Sequence, residues 1–229
     1  MSIIDYKLPD SEYYKEICDK DTIYIHHTAG GHRPDYSIAG WAHDKSKNGG
    51  QLPVGTAYVI GGISSVNGKT DFDGIIYQAF EDKYWAHHLG LETTNNKLLN
   101  QKSIGIEVCN YGPLTKTKDG LYLNYVNKTI PATMVGELAQ PYRGFKYYHK
   151  YTDLQLRSLH DLMLDIARRY PKINLKNGLQ LFISQGAGAF EINQGALKGV
   201  PGVWSHSNVR KDKFDMWPQP QLIDLIKQF

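Results

Sequence analysis

Two adjacent histidines end a short β-rich run, Thr22-Ile23-Tyr24-Ile25-His26-His27-Thr28, and imidazole at a strand end reads first as a candidate metal ligand. Side chains alternate between the faces of a strand, which puts Ile23, Ile25 and His27 on one side and Thr22, Tyr24 and His26 on the other. The isoleucines claim the core, so His26 is the better ligand candidate and His27 a packing residue. A catalytic zinc takes three protein ligands and keeps a fourth position open. Candidates for the other two lie far along the chain, at His206 in Val203-Trp204-Ser205-His206-Ser207 and at Asp215, nine residues later, in Lys213-Phe214-Asp215. Asp212, in the same loop, competes with Asp215 as the oxygen ligand.

A carboxylate near such a metal can act as a general base. In the run Ile104-Gly105-Ile106-Glu107-Val108-Cys109 the apolar residues Ile104, Ile106 and Val108 share one face, leaving Glu107 on the other. Glu107 is therefore the candidate base.

These residues need a scaffold that brings positions 26, 107 and 206–215 together. Strands are expected at Thr22–His26, Gly55–Ile60, Gly74–Phe80, Ser103–Cys109 and Leu179–Ile183, each bounded by Gly, Asn, Asp or Pro. A helix is expected over Ser37–Lys47. A stronger one follows Thr152-Asp153-Leu154-Gln155, a capping box, with Leu156, Leu159, Leu162, Met163, Ile166 and Tyr170 at helical spacing until Pro171. That stripe is core, and His160 within the helix is a flanking residue. A last helix is expected over Pro220–Lys227. Interleaved strands and helices predict an α/β fold with a central mixed sheet flanked by helices. No repeat or linker divides the 229 residues, so one domain is expected over 1–229. Residues 111–150, rich in Tyr, Lys, Thr and Gly, read as an elaborated loop or hairpin near the site.

Composition excludes several classes. Cys18 and Cys109 make no disulfide framework, and acidic residues occupy the first twenty positions where an export signal would be apolar. No apolar run approaches a membrane span. A net charge of +3 with scattered lysines argues against nucleic acid as a partner. Sixteen tyrosines exceed ordinary core needs and suit a groove for sugars or peptides.

Five blocks, in order, carry a family resemblance: Ile25-His26-His27-Thr28-Ala29-Gly30; Val54 to Ile60; Trp85-Ala86-His87-His88-Leu89-Gly90; Ser103 to Val108; and Ser205-His206-Ser207-Asn208-Val209 with Lys213-Phe214-Asp215. The chain resembles the zinc-dependent N-acetylmuramoyl-L-alanine amidases of the phage-lysozyme and peptidoglycan-recognition type. The resemblance implies a zinc held by His26, His206 and Asp215, with Glu107 as general base. It implies Lys213, two residues before the last ligand, as the group that stabilises the oxyanion. It favours His88 over His87 as a residue that contacts substrate, and it points to Thr56, with Tyr58 two residues on, as further substrate-binding positions. The late block departs from the family's usual Gly-His-Ser-Asp, with Ser205 and Asn208 replacing the outer residues. The implied activity is hydrolysis of the amide between N-acetylmuramic acid and L-alanine in peptidoglycan. The alternatives are a wall-binding module without catalysis and a zinc peptidase cutting within the stem peptide. A monomer made in the cytoplasm and acting on the wall after release, as in phage lysis, is the expected setting.

Overall fold

The computed structural model describes residues 2–43 and 53–229. Its strands are β1 (Ile3–Asp5), β2 (Thr22–His27), β3 (Tyr58–Ile60), β4 (Ile76–Gln78), β5 (Ser103–Val108), β6 (Pro113–Lys116), β7 (Tyr122–Leu123), β8 (Thr129–Ile130), β9 (Val135–Tyr142), β10 (Phe145–His149) and β11 (Gly202–Ser205). Its helices are α1 (Pro34–Trp41), α2 (Asn96–Lys102), α3 (Asp153–Arg169), α4 (Leu179–Phe182), α5 (Gln194–Lys198) and α6 (Pro220–Ile226).

A six-stranded mixed sheet in the order β1-β4-β3-β5-β2-β11 forms the centre. Its β3, β5, β2 and β11 run parallel, and β4 is antiparallel to β3. Every residue of β2 is buried, as both faces of a parallel sheet must be covered. Ile23, Ile25, Ile104 and Ile106 share one cluster with the α3 stripe Leu156, Leu159, Leu162, Met163 and Ile166. On the other side Tyr24 packs in a separate cluster with Leu89, Leu99 and Trp204. The alternation expected along β2 is therefore present, with His26 on the Tyr24 side.

The capping box that opens α3 forms as the sequence predicts: the Thr152 hydroxyl accepts from Gln155 N, and Gln155 Oε1 accepts from Thr152 N. Gln155 also reaches the sheet, donating from Nε2 to Cys109 O at 2.8 Å. The early helix begins ahead of the expected Ser37, because Pro34 sits at its first turn where a missing N–H costs nothing. Residues 44–47 of the expected Ser37–Lys47 helix lie outside the described residues.

Two expectations are corrected. Leu179–Ile183 is not a strand: α4 covers Leu179–Phe182, with Leu179 and Ile183 buried and Leu181 exposed, which is the spacing of a helical turn. A short apolar run carries too few residues for periodicity to separate the two states. Residues 111–150, expected as an elaborated loop or hairpin, hold more than either: the β9–β10 hairpin is part of a second, antiparallel sheet in the order β8-β7-β6-β10-β9. Its strands are two to eight residues long and its own small core is Leu114, Ile130 and Val135.

Candidate active site

The carboxyl-terminal ends of three neighbouring parallel strands bring the chemistry together. His26 lies near the end of β2, level with Glu107 of β5, and His206 follows β11 directly. The Ser205 and Asn208 that depart from the family pattern hold this corner, with Ser205 N donating to Asn208 Oδ1 at 2.9 Å. Asn208 Nδ2 donates onward to Ala189 O and Glu191 O.

His26, His206 and Asp215 are buried and offer one ligand atom each, all within 4.8 Å of one another. Asp215 Oδ2 stands 2.9 Å from His206 Nδ1 and 3.3 Å from His26 Nδ1. The hydrogen-bond network assigns the protons on both rings. Ser103 Oγ donates to Leu99 O at 2.6 Å, so toward His88 Nε2, 2.9 Å away, it accepts. His88 Nδ1 then lacks a proton and accepts from His26 Nε2 at 3.0 Å, which leaves His26 Nδ1 as a bare lone pair. His206 Nε2 lies 3.0 Å from Leu89 O, a pure acceptor, so it carries the proton, and in the neutral ring Nδ1 is a lone pair as well. With both rings neutral, these tautomers turn three lone pairs toward one buried point. That donor set, two nitrogens and a carboxylate with second partners fixing the tautomers, fits a divalent metal.

The electrostatics agree. Burial, and then His206, lower His26 to about 4, so it is neutral at physiological pH. Burial and the neighbouring His26 likewise hold His88 well below the usual range. Glu107 goes the other way: burial, then the Asp215 charge, raise its carboxyl well above the usual range. Its Oε2 is buried without a hydrogen-bond partner among the described residues.

The cluster forms part of the lining of a cavity of about 630 Å³, together with Glu107, Lys213, His88 and Thr56. Asp212 also borders it, but its carboxylate is exposed and engaged by Arg210, at 2.9 Å from Nε to Oδ1, outside the ligand cluster. Thr56 donates its hydroxyl to Tyr58 O at 3.0 Å. His87 packs edge-on against the rings of Tyr14 and Trp85. His27, on the opposite face of β2 from His26, meets Tyr151 Oη at 2.9 Å.

Tyr58 is not brought to the cavity. It is level with Ile106 in the β3–β5 ladder, on the α3 side, and its hydroxyl donates to Asp82 at 2.6 Å. Sharing a face with Thr56 holds only if residues 56–58 are all strand, and β3 begins at Tyr58.

The second sheet and its neighbours supply cavity walls that motif reasoning missed: Trp41, Tyr111, Leu123, Tyr125, Phe145 and Phe214. The excess of tyrosine was the signal for an aromatic groove, without naming its residues. A second groove of about 800 Å³ shares Trp41, Glu107, Tyr111 and Tyr125 with the first, so the cleft continues past Glu107. No described helix is long and apolar enough to cross a membrane.

Residues 19–215 match the model of the family described as N-acetylmuramoyl-L-alanine amidase. No curated protein matches the chain. Among solved structures, PlyL is 12% identical over 99% of this chain and 98% of its own, with a TM-score of 0.51. The N-acetylmuramoyl-L-alanine amidase LysC from Clostridium intestinale is 13% identical over 100% and 96%, with a TM-score of 0.50. Both are likenesses of fold. AmiD from E. coli, solved with its substrate anhydro-N-acetylmuramic acid-L-Ala-D-gamma-Glu-L-Lys, is 25% identical over 66% of this chain with a TM-score of 0.38, and the match spans 44% of that protein, under half its length.

Proposed function

The chain belongs to the N-acetylmuramoyl-L-alanine amidase family, and from that premise we propose that it hydrolyses the amide joining N-acetylmuramic acid to L-alanine in peptidoglycan. His26, His206 and Asp215 would hold a zinc ion, and residues 1–229 would act as one catalytic domain with the second sheet as a wall of its cleft. The observation that carries this reading is the convergence of three ligand atoms on one buried point beside a carboxylate whose Oε2 has no partner among the described residues.

Zinc held there would supply Lewis acidity toward the amide carbonyl and the attacking water. Glu107 takes the proton of that water and returns it to the departing amine of L-alanine. A carboxyl raised by burial is the stronger base for that work, and its Oε2 has no competing partner among the described residues. The Lys213 ammonium stabilises negative charge on the carbonyl oxygen as the tetrahedral centre forms. The aromatic walls seat the sugar and the stem on either side of the bond. The setting we assign is wall lysis after release from the cell that makes the protein, as in phage lysis.

The test joins metal content to product analysis. The purified protein should carry one zinc per chain and release intact stem peptides beginning with L-alanine from sacculi. His206→Ala should lose the metal and about 10³-fold in rate, the several kcal/mol a Lewis acid contributes. Unchanged release by His206→Ala would remove the zinc-hydrolase reading. Shortened stems still attached to the sugar would move the cut inside the peptide, and binding to sacculi without any release would leave a recognition module.

A further inference from the structure

Asp215 and Lys213 sit on an irregular segment that follows β11, and the second sheet reaches across to hold it. The strands β9 and β10 are joined by two residues, Arg143 and Gly144, with Tyr142 paired to Phe145 across the turn. Both turn residues have positive φ, 48° at Arg143 and 85° at Gly144. A hairpin turn with two positive φ angles favours Asn-Gly or Gly-Gly, and arginine is a poor choice for its first position. A side chain kept at a backbone cost points to work done by that side chain.

The work is visible. The Arg143 side chain is only 7% exposed. Its Nη1 donates to Arg210 O at 2.7 Å, to Lys211 O at 3.1 Å and to Lys213 O, and its Nη2 donates to Ser207 O at 2.8 Å. Nη2 also meets Glu191 Oε2 at 3.2 Å, an exposed carboxylate at the rim. One guanidinium thus gathers four carbonyls from the segment between two metal-ligand positions, His206 and Asp215. The four N–H groups of the two terminal nitrogens, set apart on a planar fork, span these carbonyls with an Nη1 hydrogen shared between two of them, while Nε has no partner among the described residues; a lysine ammonium offers three donors from a single atom. The same hairpin adds an apolar contact two residues on, where Phe145 meets Phe214 edge-on at 5.4 Å.

We infer that Arg143 is a positioning residue: it acts as a fixed internal cation that folds Ser207–Lys213 around itself, so that Asp215 presents its carboxylate to the metal and Lys213 its ammonium to the cleft. The inference rests on the zinc reading above. It makes the second sheet part of the site's architecture, because the sheet is what carries the guanidinium to the segment.

The experiment uses the whole chain with Arg143→Asn, Arg143→Lys and Arg143→Ala. Arg143→Asn suits the turn's backbone and keeps the hairpin, so it removes the guanidinium with the least threat to folding. Zinc dissociation constants come from chelator competition, and amide exchange over Ser207–Lys213 is followed in the metal-free proteins. Each variant should bind zinc about 10- to 100-fold more weakly, the range for partners that orient metal ligands, and should exchange faster in that segment alone. Arg143→Lys should recover little. Millimolar guanidinium should restore zinc affinity to Arg143→Ala and leave wild type unchanged, a response that general destabilisation would not give. Wild-type zinc affinity in Arg143→Asn, or Arg143→Ala indifferent to guanidinium, would overturn the inference. The two readings fail separately: a wild type that takes no zinc removes the metal reading, while unchanged amide exchange in Arg143→Asn removes the clamp on its own.

Discussion

Asp82 and Asp215 are equally buried, each 6% exposed, and each is surrounded by polar groups, yet their surroundings are opposite in sign. Around Asp82 every partner donates: Tyr58 Oη at 2.6 Å, Arg169 Nη1 at 2.6 Å and Tyr170 Oη at 2.7 Å. That network is closed, and it ties the end of α3 to the sheet. Around Asp215 the two imidazoles turn lone pairs toward the carboxylate, because their protons are committed to His88 and Leu89 O. That network is open, and on the proposed reading a cation completes it. A buried carboxylate is therefore informative only once the protons around it have been placed; burial and polar neighbours alone would have scored the two alike.

The contrast can be broken most decisively by the same substitution at both places. Asp82→Asn puts an amide against three donors and should cost about 2–4 kcal/mol of unfolding free energy. Asp215→Asn should leave the metal-free protein as stable or more so, because the new N–H₂ group can donate to the waiting lone pairs, while abolishing zinc uptake. Urea unfolding of both variants without metal checks this, and equal losses would mean the Asp215 network is already closed by protons.

Acid should act on the cleft side first. Burial lowers His149, beside Tyr111 of the cleft wall, from 6.5 to about 4, so the unfolded chain binds its proton at a higher pH than the folded one. Stability is full above pH 6.5 and falls as pH drops toward 4, by about 2 kcal/mol from this group by pH 5. His149→Gln should flatten that slope in urea titrations of the metal-free protein. No change in slope would move the acid sensitivity elsewhere.

Smaller effects sharpen the comparison further. His88→Ala frees the His26 ring to take the wrong tautomer and should weaken zinc binding about 10- to 100-fold, with global stability little changed. Tyr58→Phe removes one donor from the closed network and should cost about 1 kcal/mol of stability, leaving zinc affinity and turnover at wild-type values. A change in KM for Tyr58→Phe would return that residue to the substrate list.

What could be read from the sequence divides along a physical line. The β2 alternation, the capped α3 and the faces of His26 and Glu107 follow from local periodicity, whereas His206 and Asp215 are weak signals alone and are singled out by the ordered blocks that carry the family resemblance. Leu179 misled because five residues cannot display a period, and Tyr58 because its face depends on where β3 begins. The second sheet escaped notice because its strands are short and pair mostly with one another, so their apolar residues never form a long pattern. Arg143 was invisible for a different reason. Its partners are main-chain carbonyls, which every residue has, so no residue type near position 210 announces it.

The order of the strands also sets a clock. β11 lies at one edge of the central sheet, and its ladder among the described residues is with β2, which precedes it by a long stretch of sequence. A ribosome must therefore add the whole stretch between His26 and His206 before the two can meet, and the long closure makes that pairing slow relative to local structure. On the proposed reading, a nascent chain that holds His26 and Glu107 would stay inert toward amide bonds until Asp215 emerges, so synthesis and competence are separated in time by the topology itself.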